Sequence, residues 1–206
     1  MSERGSRLLY IIENSLHYTP CSSAQLKQSL SALMQKHTGI KWFGLRVASN
    51  NIQFDVILPL HYVHERKLTL DSISKALESE IGKILTVVEI SPGSSPCPTE
   101  AVPEVFLSRF NEERYWEAHE ILEGWWRYEP NVSTKRNLQG WILVCAALVH
   151  HQKCRDSVAL EILKRASLLL SRVDTGTQLA PGLDSARLLA TVRSQLRRKT
   201  VEPFKL

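Results

Sequence analysis

Apolar residues along the first ninety positions recur at two different periods, and the switching between them sets the expected architecture. Leu8, Leu9, Tyr10, Ile11 and Ile12 form a short continuous run, the pattern of a buried strand over 7–13. Leu26, Leu30, Leu33 and His37 recur at helical spacing. A helix is therefore expected over 22–37, with Ser22 or Ser23 capping its start and Gly39 at its end. Strands are expected over 42–48 and 52–58, joined by the turn Ser49-Asn50-Asn51. In the second of these, Ile52, Phe54, Val56 and Leu58 alternate with Gln53 and Asp55, which predicts one buried face and one polar face. Asp71 is expected to cap a helix carrying Ile73, Leu77, Ile81 and Ile84, and 85–90 reads as a last strand. The order βαββαβ is the split-βαβ, ferredoxin-like arrangement.

Beyond residue 103 the apolar period is helical throughout. Five helices are expected, over 103–110, 112–127, 134–151, 156–173 and 184–198, with Asn111, Asp156 and Asp184 as N-caps. Trp141 to Val149 is apolar on all sides, as for a helix inside a bundle. Between the two patterns, residues 91–103 hold four prolines, a glycine and several serines with no period, which is linker composition. The expected fold is thus α+β. A ferredoxin-like domain spans 1–90, a Pro/Ser-rich linker 91–103, and a five-helix bundle 104–206.

Composition narrows the class without naming a chemistry. With 206 residues, 43% hydrophobic and 23% charged, the chain has the make-up of a globular protein. No apolar run is long enough to span a bilayer, and the N-terminus does not read as a secretory signal, so a cytoplasmic location without membrane association is expected. On that ground the sequon at Asn131-Val132-Ser133 carries no weight. Cys21, Cys97, Cys145 and Cys154 include no C-x-x-C pair and read as reduced thiols. The net charge of +5 is uneven: residues 100–129 hold eight acids and three bases, and residues 130–206 thirteen bases and five acids. The basic end, Arg193 through Arg197-Arg198-Lys199, invites a nucleic-acid reading, although cations also suit a helix C-terminus. His61 and His64 have metal-compatible spacing but no third ligand in view. Residues 51–58 lack the exposed aromatics of an RNA-recognition strand.

The candidate chemistry lies in residues 110–127, which hold three tryptophans and five glutamates. At about 100° per residue, Tyr115, His119, Leu122 and Trp126 share one stripe, with Glu123 at its edge and Glu120 further round. Glu117 is expected to face solvent. Gln139, Leu143, Ala146 and His150 repeat the same 4-3-4 spacing in the third helix of this half. Packed antiparallel, the two stripes would bring Gln139 near Trp126 and His150 near Tyr115. The pocket candidates are therefore Tyr115, His119, Glu120, Glu123, Trp126, Gln139 and His150. They form either a satisfied buried network or a site for a polar ligand. His119, Glu123 and His150 are the candidate ligands for a divalent metal, because Glu and His on facing helices build bundle metal sites.

These residues carry a resemblance. Phe110-Asn111, Tyr115-Trp116-Glu117-Ala118-His119-Glu120 with Leu122-Glu123 and Trp126, then Leu138-Gln139-Gly140, the Ala146-Ala147 and His150 region and Gly182-Leu183-Asp184 resemble the domain of unknown function 309. The resemblance implies a small helical bundle with the motif helix near its centre, and supplies no activity. Trp125 and Trp141 stand where it implies smaller residues. Three functions remain open. The first is a non-catalytic binding or assembly protein with a polar pocket and a protein partner or second copy. The second is a metal-dependent hydrolase. The third is an RNA-binding protein using the sheet and the basic C-terminal helix.

Overall fold

The computed structural model describes residues 6–36, 40–58, 66–90, 101–173 and 179–206. The expectations for Gly39, for His61 and His64, and for most of the linker fall outside these residues. The chain divides into two compact units, residues 1–94 and 95–206.

The first unit runs β1 (Ser6–Glu13), α1 (Ala24–Gln35), β2 (Lys41–Val47), β3 (Asn51–Leu58), α2 (Arg66–Glu80) and β4 (Ile84–Ile90). Its four strands form an antiparallel sheet in the order β2-β3-β1-β4. One face of the sheet, with Leu8, Tyr10 and Ile12 of β1 and Ile52, Phe54 and Val56 of β3, packs with Leu26, Leu30 and Leu33 of α1 and Ile73 and Leu77 of α2. Tyr10 and Phe54 stack with centroids 5.7 Å apart, opposite each other in the ladder. α2 begins five residues ahead of the expected cap, so Asp71 lies inside the helix. Neither Ser22 nor Ser23 caps α1 through its side chain; the Ser23 hydroxyl donates back to Pro20 O.

The second face of β3 departs from the alternation. Gln53 and Asp55 are fully buried rather than exposed. Asp55 accepts from Arg7 Nε at 3.0 Å and meets Arg46 Nη1 at 3.2 Å, so the buried charge is compensated on both oxygens. A register shift between Phe43 and Arg46 brings this pair together. Gly44 lies inside the shift with φ +69°, and a Cβ there would stand 2.6 Å from Asp55 Oδ2. The residue must therefore be glycine on two grounds, conformation and space.

The second unit holds α3 (Val102–Asn111), α4 (Tyr115–Tyr128), α5 (Val132–His151), α6 (Asp156–Leu170) and α7 (Ser185–Arg198). Among the described residues no helix is long and apolar enough to cross a membrane. α5 is the centre of this core, burying residues on most of its circumference. Gly140 lets α6 approach it: a Cβ at 140 would stand 2.7 Å from Leu170 Cγ. Asp184 caps α7 as expected, accepting from the N–H groups of Ala186 and Arg187. Asn111 does not cap α4; it ends α3, and the chain turns through Glu113 at φ 58° before α4 starts. Asp156 is the first residue of α6, not its cap. The residue discounted as a sequon, Asn131, is the N-cap of α5, with Oδ1 accepting from Ser133 N at 2.9 Å and Thr134 N at 3.0 Å.

The cysteine expectation needs correction. Cys145 is a free, buried thiol, but Cys21 and Cys154 are disulfide-bonded.

Candidate functional site

α4 and α5 run antiparallel, fixed at both ends of α4. Lys135 Nζ lies over the Trp126 ring at 4.6 Å, and Gln152 Nε2 donates to Glu113 O at 2.7 Å. The 4-3-4 stripe of α4 is split in depth. Tyr115 and Leu122 are fully buried, while His119 and Trp126 are partly exposed. Tyr115 belongs to the aromatic core, edge-on to Phe110 at 5.0 Å, and burial pushes its hydroxyl far above the ordinary range.

His119 is 21% exposed and finds its partners on its own helix. Its Nδ1 lies 3.4 Å from Glu120 Oε1 and its Nε2 3.8 Å from Glu123 Oε1. One ligand atom from each of His119, Glu120 and Glu123 falls within 4.8 Å of the others. The two carboxylates are 51% and 43% exposed, so this is a surface group on α4. His150 does not join it. Its Nδ1 is buried with no hydrogen-bond partner, and burial, with Lys153 and Arg155 nearby, lowers its pKa from the ordinary value. The Trp126 indole N–H is also buried without an acceptor. Buried donors without partners are uncommon enough to need a reason, such as an ordered water or a ligand.

Gln139 is exposed, against the expectation of a buried amide beside Trp126. The buried amide of α5 is Asn137, two residues earlier. Trp141 Nε1 donates to Ser185 Oγ at 2.9 Å, and Ser185 Oγ donates to Asn137 Oδ1 at 2.8 Å. This chain ties α5 to the start of α7. The 137–141 spacing put both residues on one face, but nothing in the sequence pointed to Ser185 as their partner.

Glu117 was also misplaced by helical arithmetic. It accepts from Arg114 Nε and Nη2, both at 2.6 Å, in a bidentate pair that is mostly buried. Arg114 also reaches Glu112 at 3.1 Å. Burial disfavours the charge on Glu112, but hydrogen bonds from Ser108 and Arg114 outweigh it and hold the carboxyl below its ordinary value. This cluster closes the α3–α4 corner and is structural.

Residues 104–162 match the family described as Domain of unknown function (DUF309). The C-terminal half also resembles the Uncharacterized protein YpuF of Bacillus subtilis (strain 168), with 31% identity over 102 residues. That stretch is 48% of this chain and 58% of the relative, so the likeness spans little more than half of the relative's length. No solved structure matches the chain. The resemblance of the C-terminal half to this family, first legible in the Glu-Ala-His-Glu motif, therefore holds, and α4, which carries the candidate site, lies inside the matched segment.

Proposed function

We propose that the helical unit is a non-catalytic binding module whose site is the polar edge of α4 formed by His119, Glu120 and Glu123. The observation that carries this reading is the convergence of one imidazole and two carboxylates within 4.8 Å. Like charges three residues apart on a helix repel, so Glu120 and Glu123 gain from a cation placed between them. A nitrogen with two carboxylate oxygens suits manganese, iron(II) or zinc.

Isothermal titration of the full chain with manganese and with zinc tests this. Saturable binding at one ion per chain, weakened at least tenfold in His119→Ala and in Glu123→Gln, supports the site. Wild-type protein that takes up neither ion removes it. A metal-dependent hydrolase is the second reading, favoured by the fact that three ligands from one helix leave coordination positions open for water. Metal-loaded protein that turns over model esters or phosphoesters, and loses turnover in Glu120→Gln, would favour it over simple binding.

The finer architecture belongs to the same reading. The βαββαβ order with antiparallel strands β2-β3-β1-β4 supports a ferredoxin-like first domain over 1–90. α3 to α7 support a five-helix bundle over 104–206, and α3 starts at Val102, two residues inside the stretch 91–103 expected as linker. A cytoplasmic location is an expectation at odds with disulfide-bonded Cys21 and Cys154, since such bonds are rare in a reducing compartment. The sheet lends the RNA reading little support: Tyr10 and Phe54 face the core, not the outside.

A further inference from the structure

α7 breaks two rules of helix stability, both in favour of positive charge. Its sequence, SARLLATVRSQLRR, contains four arginines and no acid. Arg187 stands in the first turn, where the helix dipole disfavours a base. Asp184 precedes it, but its Oδ1 is occupied by the backbone N–H groups of Ala186 and Arg187. Arg193 and Arg197 are four residues apart, the spacing at which like charges repel. The dipole accounts for Arg197, near the C-terminus, and not for Arg187 or Arg193.

Burial fixes how these side chains are presented. Leu188, Val192 and Gln195 turn inward, which sets Arg193 and Arg197 on the opposite side and Arg187 on the flank. All three are exposed, and among the described residues no carboxylate forms an ion pair with any of them. Other bases nearby are engaged: Arg198 meets Glu202 at 3.1 Å and Lys164 meets Glu161 at 2.5 Å. α6, which packs against α7, adds exposed Arg165, and the turn after it exposed Arg172. A helix lying in a membrane surface needs large apolar side chains on its inserted face, and those of α7 are in the core or at its margin. Guanidinium groups free of carboxylates and set along one rigid element suit phosphate oxygens spaced along a polymer.

We propose that the exposed arginine face of α7 binds the phosphate backbone of a nucleic acid without reading its sequence. This goes beyond the α4 site and does not depend on it. A positioned local conflict of this kind, uncompensated within the fold, is where function overrides stability.

The test is fluorescence anisotropy of the full chain with a labelled single-stranded RNA, a labelled DNA duplex of mixed sequence and, separately, anionic vesicles, across a series of salt concentrations. Two triple variants are compared: Arg187→Gln/Arg193→Gln/Arg197→Gln, and Lys27→Gln/Lys75→Gln/Lys83→Gln, which removes the same charge from exposed positions of the first unit. Wild type should bind at least one oligonucleotide with an affinity that falls steeply with salt. The arginine variant should lose about tenfold or more, and its slope of log affinity against log salt should shrink by roughly 2. The lysine variant should bind within about twofold of wild type. The arginine variant should melt no lower than wild type, because it sheds the repulsive pair, and that result separates lost binding from lost folding. The tighter of RNA and DNA identifies the polymer. Absence of oligonucleotide binding, equal losses in both variants, or binding to vesicles alone would overturn the proposal.

Discussion

Ser185 is a small residue with two obligations. Its hydroxyl accepts from Trp141 and donates to Asn137, both buried. Ser185→Ala strands an indole N–H and an amide oxygen away from water and should cost about 1–3 kcal/mol. Urea midpoints measure it; a loss below half a kcal/mol would mean that water replaces the hydroxyl. Cys145 makes a chemical prediction. Burial pushes its thiol pKa up, so the native protein should leave it unalkylated by iodoacetamide while unfolded protein reacts, as read by peptide mass spectrometry. His150 sets a pH dependence. Its pKa is lowered on folding, so the unfolded state takes up the proton first and the folded state loses stability as pH falls below about 6.5. The slope of stability against pH over that window should flatten in His150→Gln. At this scale the sequence was legible where periodicity alone decides, as at Leu122. It was misleading where a side chain bends back to a local partner. Glu117 points off the apolar stripe yet lies mostly buried, because Arg114 three residues earlier claims both its oxygens.

At the scale of elements, the start of α5 and its contact with α6 carry the clearest consequences. Asn131→Ala removes the acceptor for two N–H groups and should cost about 1 kcal/mol. Gly140→Ala sets two effects against each other. Alanine is the better helix former by about 1 kcal/mol. Its Cβ, however, would meet two Leu170 carbons at 2.7 Å where α5 packs on α6, and overpacking of that kind costs about 1–3 kcal/mol. The net effect should be destabilising, and thermal melts of the two forms decide the sign. Element positions came readily from the sequence, because every apolar stripe it showed has a core to fill. Element ends did not. α2 starts early since nothing in Arg66 to Leu70 opposes a helix, and α4 starts late since the Arg109, Glu112, Arg114 and Glu117 charges hold an irregular corner.

For the whole molecule, the linker composition of 91–103 predicts that mild proteolysis cuts there first and leaves a C-terminal fragment that stays helical by circular dichroism. A fragment that unfolds would show that the two units depend on each other. The two-part plan was legible because the hydrophobic period changes from mixed to purely helical across a proline-rich stretch. The buried polar side of β3 was not, because alternation marks Gln53 and Asp55 as solvent-facing. Only the ladder, the register shift at Gly44 and the two arginines reveal how a carboxylate is held there.

The hydroxyl that joins Trp141 to Asn137 also makes a statement about descent. A side chain that must give one hydrogen bond and receive another cannot drift alone. In relatives that retain the α5–α7 junction, positions 137, 141 and 185 should change together or not at all, with an apolar residue at 185 appearing only where the indole has already been replaced. Ser185→Ala made in a Trp141→Phe background should accordingly cost less than the same change in the parent chain. The three positions would then have been inherited as a unit of variation, although Ser185 lies 44 residues from Trp141 and 48 from Asn137 along the chain.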